Sequence, residues 1–333
     1  MKKKKELPLT EPIYSTYHNQ SAATAILATN PTIRHWYLNE VMMLSCTRKF
    51  LRGYTTPEAD IAESSWASNP YIEQCWYSMR FLKGHVHYVI RNLLDNGYYV
   101  FFNGIDDYYV EGKSWYKTRH FNHDGTICGY DQENKTYSIY AYDNNWICQK
   151  FLTSQHSFKK GLQVMFEQNR FGSICGLKPK RDRVLFSSEK ALKHIDDYLH
   201  STTEEYSDQE DGLVYGIAVH DYIGKYVRKL YDESIPYEKM DPRVFRMIWE
   251  HKKFMLERIR HIETDLSLHS DIGDSYEAIV RDANAIRMLY ASHHMKRRDS
   301  VLPIIERNLL SIKNREEQLL GEIVAYKKGE NKI

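Results

Sequence analysis

The sequence predicts an α+β domain followed by an α-helical domain, and two changes of texture carry that reading. Residues 20–177 mix helical segments with short β-branched and aromatic runs, whereas 187–326 keeps an apolar repeat of helical period almost throughout. Between them lies a basic, proline-containing joint at 178–183, which divides the chain into domains at 1–180 and 187–330.

Taken in order, Lys2 to Lys5 have the charge of a signal peptide, but no apolar stretch follows, so the run reads as a frayed, solvated terminus. Residues 20–27 are small and suit a buried helix that neighbours approach closely; Asn30 closes it, because a residue before proline avoids the helical region. A second helix is expected over 34–51 and a third over 73–94, stopping at the cap signal Asn96-Gly97. The period then changes to strands at 98–102, 126–130, 136–142, 147–152 and 173–177. The second and third of these make a hairpin with a five-residue loop, and Ser154 is placed to cap a helix over 157–168. In the second domain a helix at 189–200 precedes a polar break, 201–212, expected as a mobile loop. Asp241 and Pro242 are placed as cap and first helical residue of a helix whose apolar repeat runs from Val244 to Leu266, and helices at 275–296 and 300–326 complete an antiparallel bundle.

Composition bounds the function. The 46 basic and 44 acidic residues leave a net charge of only +2, so nothing global asks for nucleic acid or an anionic membrane. No segment approaches the roughly 20 apolar residues that span a bilayer. The five cysteines form no CxxC pair and their number is odd, which argues against a disulfide framework and for a reducing cytoplasm. His85, His87, His120 and His123 match no standard zinc spacing, no phosphate-cradling glycine loop is present, and no cofactor is expected. Cys128, inside a strand, reads as a small buried hydrophobe. The chemistry concentrates elsewhere. His123 stands just ahead of the first hairpin strand and Asp143 at the end of the second, a placement that brings an imidazole beside a carboxylate and holds a general base in its useful tautomer.

The run from His123 through Gly129, Tyr130 and Asp131 resembles the histidine strand of papain-like, C39-type peptidases. Residues 97–177, with Asp107-Tyr108-Tyr109 ahead of His120 and His123, resemble more closely the butirosin biosynthesis protein H-like N-terminal domain family, found in bacterial antibiotic gene clusters. Asp241, Arg243 and Glu250 to Lys252 in the second half extend the likeness. The resemblance implies a papain-like domain with an antiparallel sheet and a central helix, acting as an acyltransferase, thioesterase or cyclase on a carrier-bound acyl or peptide substrate. It also implies a cysteine nucleophile at the start of the helix near 20–27, where a helix N-terminus stabilises a thiolate. This chain departs from that pattern, because 14–23 contains no cysteine and Ser21 or Gln20 stands in its place.

Three readings follow: Ser21 acts with His123 and Asp143, the site only binds, or His123 works as a general base with no covalent intermediate. His18 could supply a second basic group beside Ser21. Asp106 and Asp107 read as turn residues, one of which, Asp107, could orient a substrate amine; His120 belongs to the matched motif, and Tyr109 with Tyr108, Trp115 and Tyr116 could line an acyl pocket. The expected partner is an acyl or peptidyl carrier protein or a peptide, and the cationic run His293 to Arg298 could dock an acidic carrier. The rival is a catalytically silent protein that keeps the fold to hold such a partner.

Overall fold

A computed structural model describes residues 3–52, 56–67, 69–82, 84–168, 172–201, 212–268 and 270–328. The polar break expected as a loop falls at 202–211, outside the described residues. In chain order the strands are β1 (Lys4–Glu6), β2 (Leu44–Thr47), β3 (Asp60–Ile61), β4 (Ile72–Ser78), β5 (Tyr99–Asp106), β6 (Asn122–Asp131), β7 (Thr136–Tyr142), β8 (Cys148–Ser154), β9 (Ser173–Pro179) and β10 (Leu213–Tyr215). The helices are α1 (His18–Leu27), α2 (Arg34–Glu40), α3 (Val86–Asp95), α4 (Gln155–Glu167), α5 (Ser188–Leu199), α6 (Val219–Tyr231), α7 (Val244–Asp265), α8 (Ile272–Lys296) and α9 (Leu302–Lys328). Among the described residues no helix is long and apolar enough to cross a membrane. Two compact units result, 1–33 with 65–183 and 34–64 with 184–333. The sequence reading made a single cut between 180 and 187; the structure cuts at 183, and also moves 34–64 out of the first unit.

The first unit is built on an antiparallel sheet of order β4-β9-β5-β6-β7-β8. β1 pairs with β6 at 129–131, on the edge that β5 has left by then. Lys4 to Glu6 is therefore a paired strand and not the frayed terminus the lysine run suggested. Alternation assigns the two faces. Phe101, Thr126 and Tyr140 are in register across β5, β6 and β7, and the buried helix α1 covers that face through Ala22 and Ala25 against Tyr140. Phe102 and Gly125 point the other way, where Phe158 of α4 meets Phe102 edge-on at 5.3 Å. A Cβ at Gly125 would lie 2.4 Å from the Phe102 ring, which is why that position has none. At Gly104, whose φ is +106°, β5 bulges and so pairs Ile105 with His123.

The expected helix over 73–94 is a strand, a 3₁₀ turn at Met79–Leu82 and a short α-helix. Residues 72–78 form an edge strand because β9 offers seven pairing partners there, and Gly176 leaves room for the Cys75 side chain. Only α3 is α-helical, and Gly97, with φ +84°, follows its cap residue Asn96.

The second unit packs α7 on α8, α8 on α9, and α9 on both α5 and α6, beside a small sheet of order β10-β2-β3. The single helix expected over 34–51 ends at Glu40. Arg258 of α7 donates to the carbonyls of Tyr37, Leu38 and Val41, capping α2 from outside, and the buried 44–47 becomes β2. Pro242 lies ahead of α7, whose first residue is Val244, while Asp241 accepts from the Arg243 amide and pairs with its guanidinium. The core of this unit holds an ion pair with no exposure on either side, Lys252 Nζ to Glu316 Oε2 at 2.5 Å. Tyr198 and Tyr276 both donate to the Glu316 carboxylate.

Candidate active site

β5 ends in two carboxylates with different tasks. Asp106 Oδ1 accepts from the amides of Tyr108 and Phe121, fixing the tight turn at 107–109, while Oδ2 lies 2.8 Å from His120 Nδ1. Asp107 is turned inward and fully buried. Its Oδ2 accepts from His123 Nδ1 at 2.9 Å, and its Oδ1 lies 3.3 Å from Nζ of Lys113, which is as deeply buried. Lys113 also donates to the Asp124 carbonyl at 2.5 Å, so one ammonium ties the turn to the beginning of β6. A buried carboxylate is tolerated only when paired, and here it has both a cation and an imidazole N–H.

The consequence falls on His123. A carboxylate oxygen can only accept and an ammonium can only donate; of the two groups facing Nδ1, the Asp107 carboxylate at 2.9 Å is nearer than the Lys113 ammonium at 3.4 Å, so Nδ1 carries the proton and the neutral ring keeps a lone pair on Nε2. That nitrogen accepts no hydrogen bond among the described residues, with Asp124 Oδ1 3.8 Å away, and the side chain is 22% exposed. An imidazole oriented through Nδ1 by a buried carboxylate, with Nε2 open, is the arrangement a general base needs.

The sequence placed His123 correctly in the chain but gave it the wrong partner. Asp143 does not reach it. Asp143 Oδ1 accepts from the amides of Asn145 and Ile147, and Oδ2 from the Gln149 side chain, so its carboxylate is spent inside its own turn. What lies between His123 and α1 is the Asp124 carboxylate, whose Oδ1 is 3.8 Å from His123 Nε2. The residue facing the helix is Asp124, whose Oδ2 lies 3.4 Å from His18 Nδ1. His18, the first residue of α1, is buried; its Nε2 lies 3.0 Å from the Tyr140 carbonyl and its ring stacks on Phe101. Burial would push the Asp124 carboxyl up, but His18, Lys113 and His123 outweigh it and hold the group well below the usual carboxylate range.

Ser21 is fully buried, with its hydroxyl 2.7 Å from the Tyr140 hydroxyl, and no hydrogen bond joins it to His123 among the described residues. Gln20 is buried beside it in α1. No thiol replaces the missing nucleophile in the buried interior: burial pushes the thiols of Cys46, Cys128 and Cys175 up to about 12, far from thiolate at neutral pH. His120 and Tyr109 form a neighbouring aromatic group. His120 stacks on Tyr108 at 4.3 Å and lies 5.8 Å from Tyr109, whose ring carries the Lys160 ammonium at 4.8 Å. The structure therefore brings His123, Asp107 and His120 to one turn, sets His18 on the far side of the Asp124 carboxylate from His123, and leaves Gln20 and Ser21 buried in α1.

Sequence reading missed Lys113 and Asp124 and mistook the role of Asp107. One signal could have found them: had β5 been extended from 102 to 106, antiparallel pairing of Asp106 with Asn122 would have put Asp107 beside His123. Among the described residues no group of three or more His, Cys, Asp or Glu is arranged to hold a metal ion. No protein-family model matches this chain, and no match was found among curated proteins.

Proposed function

We propose that this chain is an acyl-transfer enzyme of the kind its resemblance implies, working on a thioester-activated acyl or peptide group, with His123 as general base and no covalent intermediate. The carrying observation is the 2.9 Å bond from His123 Nδ1 to the fully buried Asp107, which leaves Nε2 open. A buried helix against an antiparallel sheet supports the papain-like reading of the first unit, but the buried Ser21 speaks against a covalent step on α1. In the proposed reaction an acceptor amine attacks the thioester carbonyl while Nε2 takes its proton. The tetrahedral adduct then breaks its C–S bond, and the departing thiolate takes that proton back from the imidazolium, giving amide and free thiol. Asp107 does not change its protonation; it fixes the ring and balances the imidazolium. Lys113 keeps Asp107 in place.

The test is transfer from octanoyl-CoA to hydroxylamine, read as hydroxamate by mass spectrometry. The proposal expects His123→Ala to lose about 10²–10⁴-fold in rate and Ser21→Ala to keep the wild-type rate. A His123→Ala variant as fast as wild type would overturn it. A second reading, a silent binding protein, rests on the absence of a nucleophile at the start of α1; a wild-type protein that binds acyl thioesters without turning any over would establish it.

A further inference from the structure

The turn after β7 is where the carboxylate of Asp143 is spent, and what that turn carries is an exposed indole. Trp146 has φ +59°, a left-handed conformation unfavourable for a bulky side chain, and it persists because Asp143 holds the turn from three sides. The backbone closes it as well, with the Asp143 amide donating to Ile147 O and the Trp146 amide to Asp143 O, both at 3.0 Å.

The indole so presented is 53% exposed and meets Trp115 edge-on at 5.3 Å. Trp115 lies 6.1 Å from Phe121, and Phe121 lies 5.3 Å from the ring of His123. Phe121 and Ile147 are also exposed. A chain of large apolar groups thus runs over the surface of the first unit and ends at the candidate base. Arg119 spans it, its guanidinium 5.4 Å from the Trp115 ring and 5.7 Å from Phe121. Contiguous exposed apolar surface of this kind marks a binding surface, and a cation lying over it favours an anionic group beside an apolar body.

We infer that Trp115, Phe121 and Trp146 form a shelf for an apolar acyl chain of medium length, with Arg119 meeting the phosphate-bearing end of the thioester donor. This rests on the reading of His123 as the base, because continuity with that ring fixes which end of the substrate lies on the shelf. Asp143 is then a positioning residue: it presents Trp146 and touches neither substrate nor base.

The shelf is tested apart from turnover by calorimetric binding to the full-length His123→Ala protein, with octanoyl-CoA, acetyl-CoA and octanoyl-N-acetylcysteamine as probes. Octanoyl-CoA should bind at least tenfold more tightly than acetyl-CoA. That preference should disappear in Trp146→Ala and shrink severalfold in Asp143→Asn, while Arg119→Ala should weaken octanoyl-CoA and leave the uncharged octanoyl thioester unchanged. Equal affinity for the octanoyl and acetyl donors, or a preference that survives both Trp146→Ala and Trp115→Ala, would overturn the inference. A chain-length preference accompanied by His123-independent turnover would sink the base and leave the shelf standing.

Discussion

Replacing Asp107 by asparagine removes the charge that both Lys113 and His123 depend on, and the structure sets the scale of the loss. Asp107 and Lys113 have no exposure and lie 3.3 Å apart, so the variant strands an ammonium left with the neutral Asp124 carbonyl and, at 3.4 Å, His123 Nδ1. Breaking a buried pair from one side costs about 3–5 kcal/mol. In a unit of about 150 residues each kcal/mol shifts the midpoint by roughly 2–4 °C, so the melting temperature should fall by about 6–20 °C. Asparagine can also present its amide hydrogens to Nδ1, which puts the ring proton on Nε2 and removes the base, for a further loss of about 10²–10⁴-fold in transfer. Urea denaturation read by fluorescence measures the first effect and hydroxamate formation the second. The companion variant Asp107→Asn with Lys113→Met separates them: stability should return toward wild type, because the unpaired cation is gone, while transfer stays lost. If Asp107→Asn melts within a degree of wild type, or the double variant regains transfer, the reasoning fails.

Three further outcomes follow from the same coordinates. Ser21→Ala loses one buried hydroxyl bond to Tyr140 and should cost about 1 kcal/mol in urea denaturation with no change in transfer. Asp124→Asn should be about 1–3 kcal/mol less stable than wild type at pH 7. Since the folded carboxyl is held low, that contribution is present above the unfolded value near about 4 and is lost as pH falls below it, so the gap should close as the pH is lowered below about 4. In the second unit Glu316→Gln leaves Lys252 buried without its counter-charge and should lower stability by about 3–5 kcal/mol, a loss readable in the same denaturation assay.

Some of this was legible in the letters and some was not, for physical reasons. The hairpin of β6 and β7, the buried small-residue helix and the long helices α7, α8 and α9 follow from local periodicity, which a sequence displays directly. The helices expected over 34–51 and 73–94 failed where tertiary partners decide: Arg258 stops α2, and β9 turns 72–78 into a strand. The site failed in the same way. His123 could be found from its strand, but its partner depends on the bulge at Gly104 and on where β5 ends, so the nearer candidate by hairpin logic, Asp143, displaced the true one. Lys113 gave no sign because a lone lysine in a loop reads as solvated; its complete burial is visible only once the turn closes over it.

The claim on which the rest depends is that the proton of His123 sits on Nδ1, held by Asp107. Long-range ¹H–¹⁵N correlation spectra of the imidazoles report this directly. The account predicts a protonated Nδ1 and an unprotonated Nε2 for His123 at pH 8, with the Nδ1 proton downfield, unchanged in Asp143→Asn and lost in the stabilised Asp107→Asn, Lys113→Met variant. A signal that moves with Asp143 and ignores Asp107, or a proton found on Nε2, would contradict it.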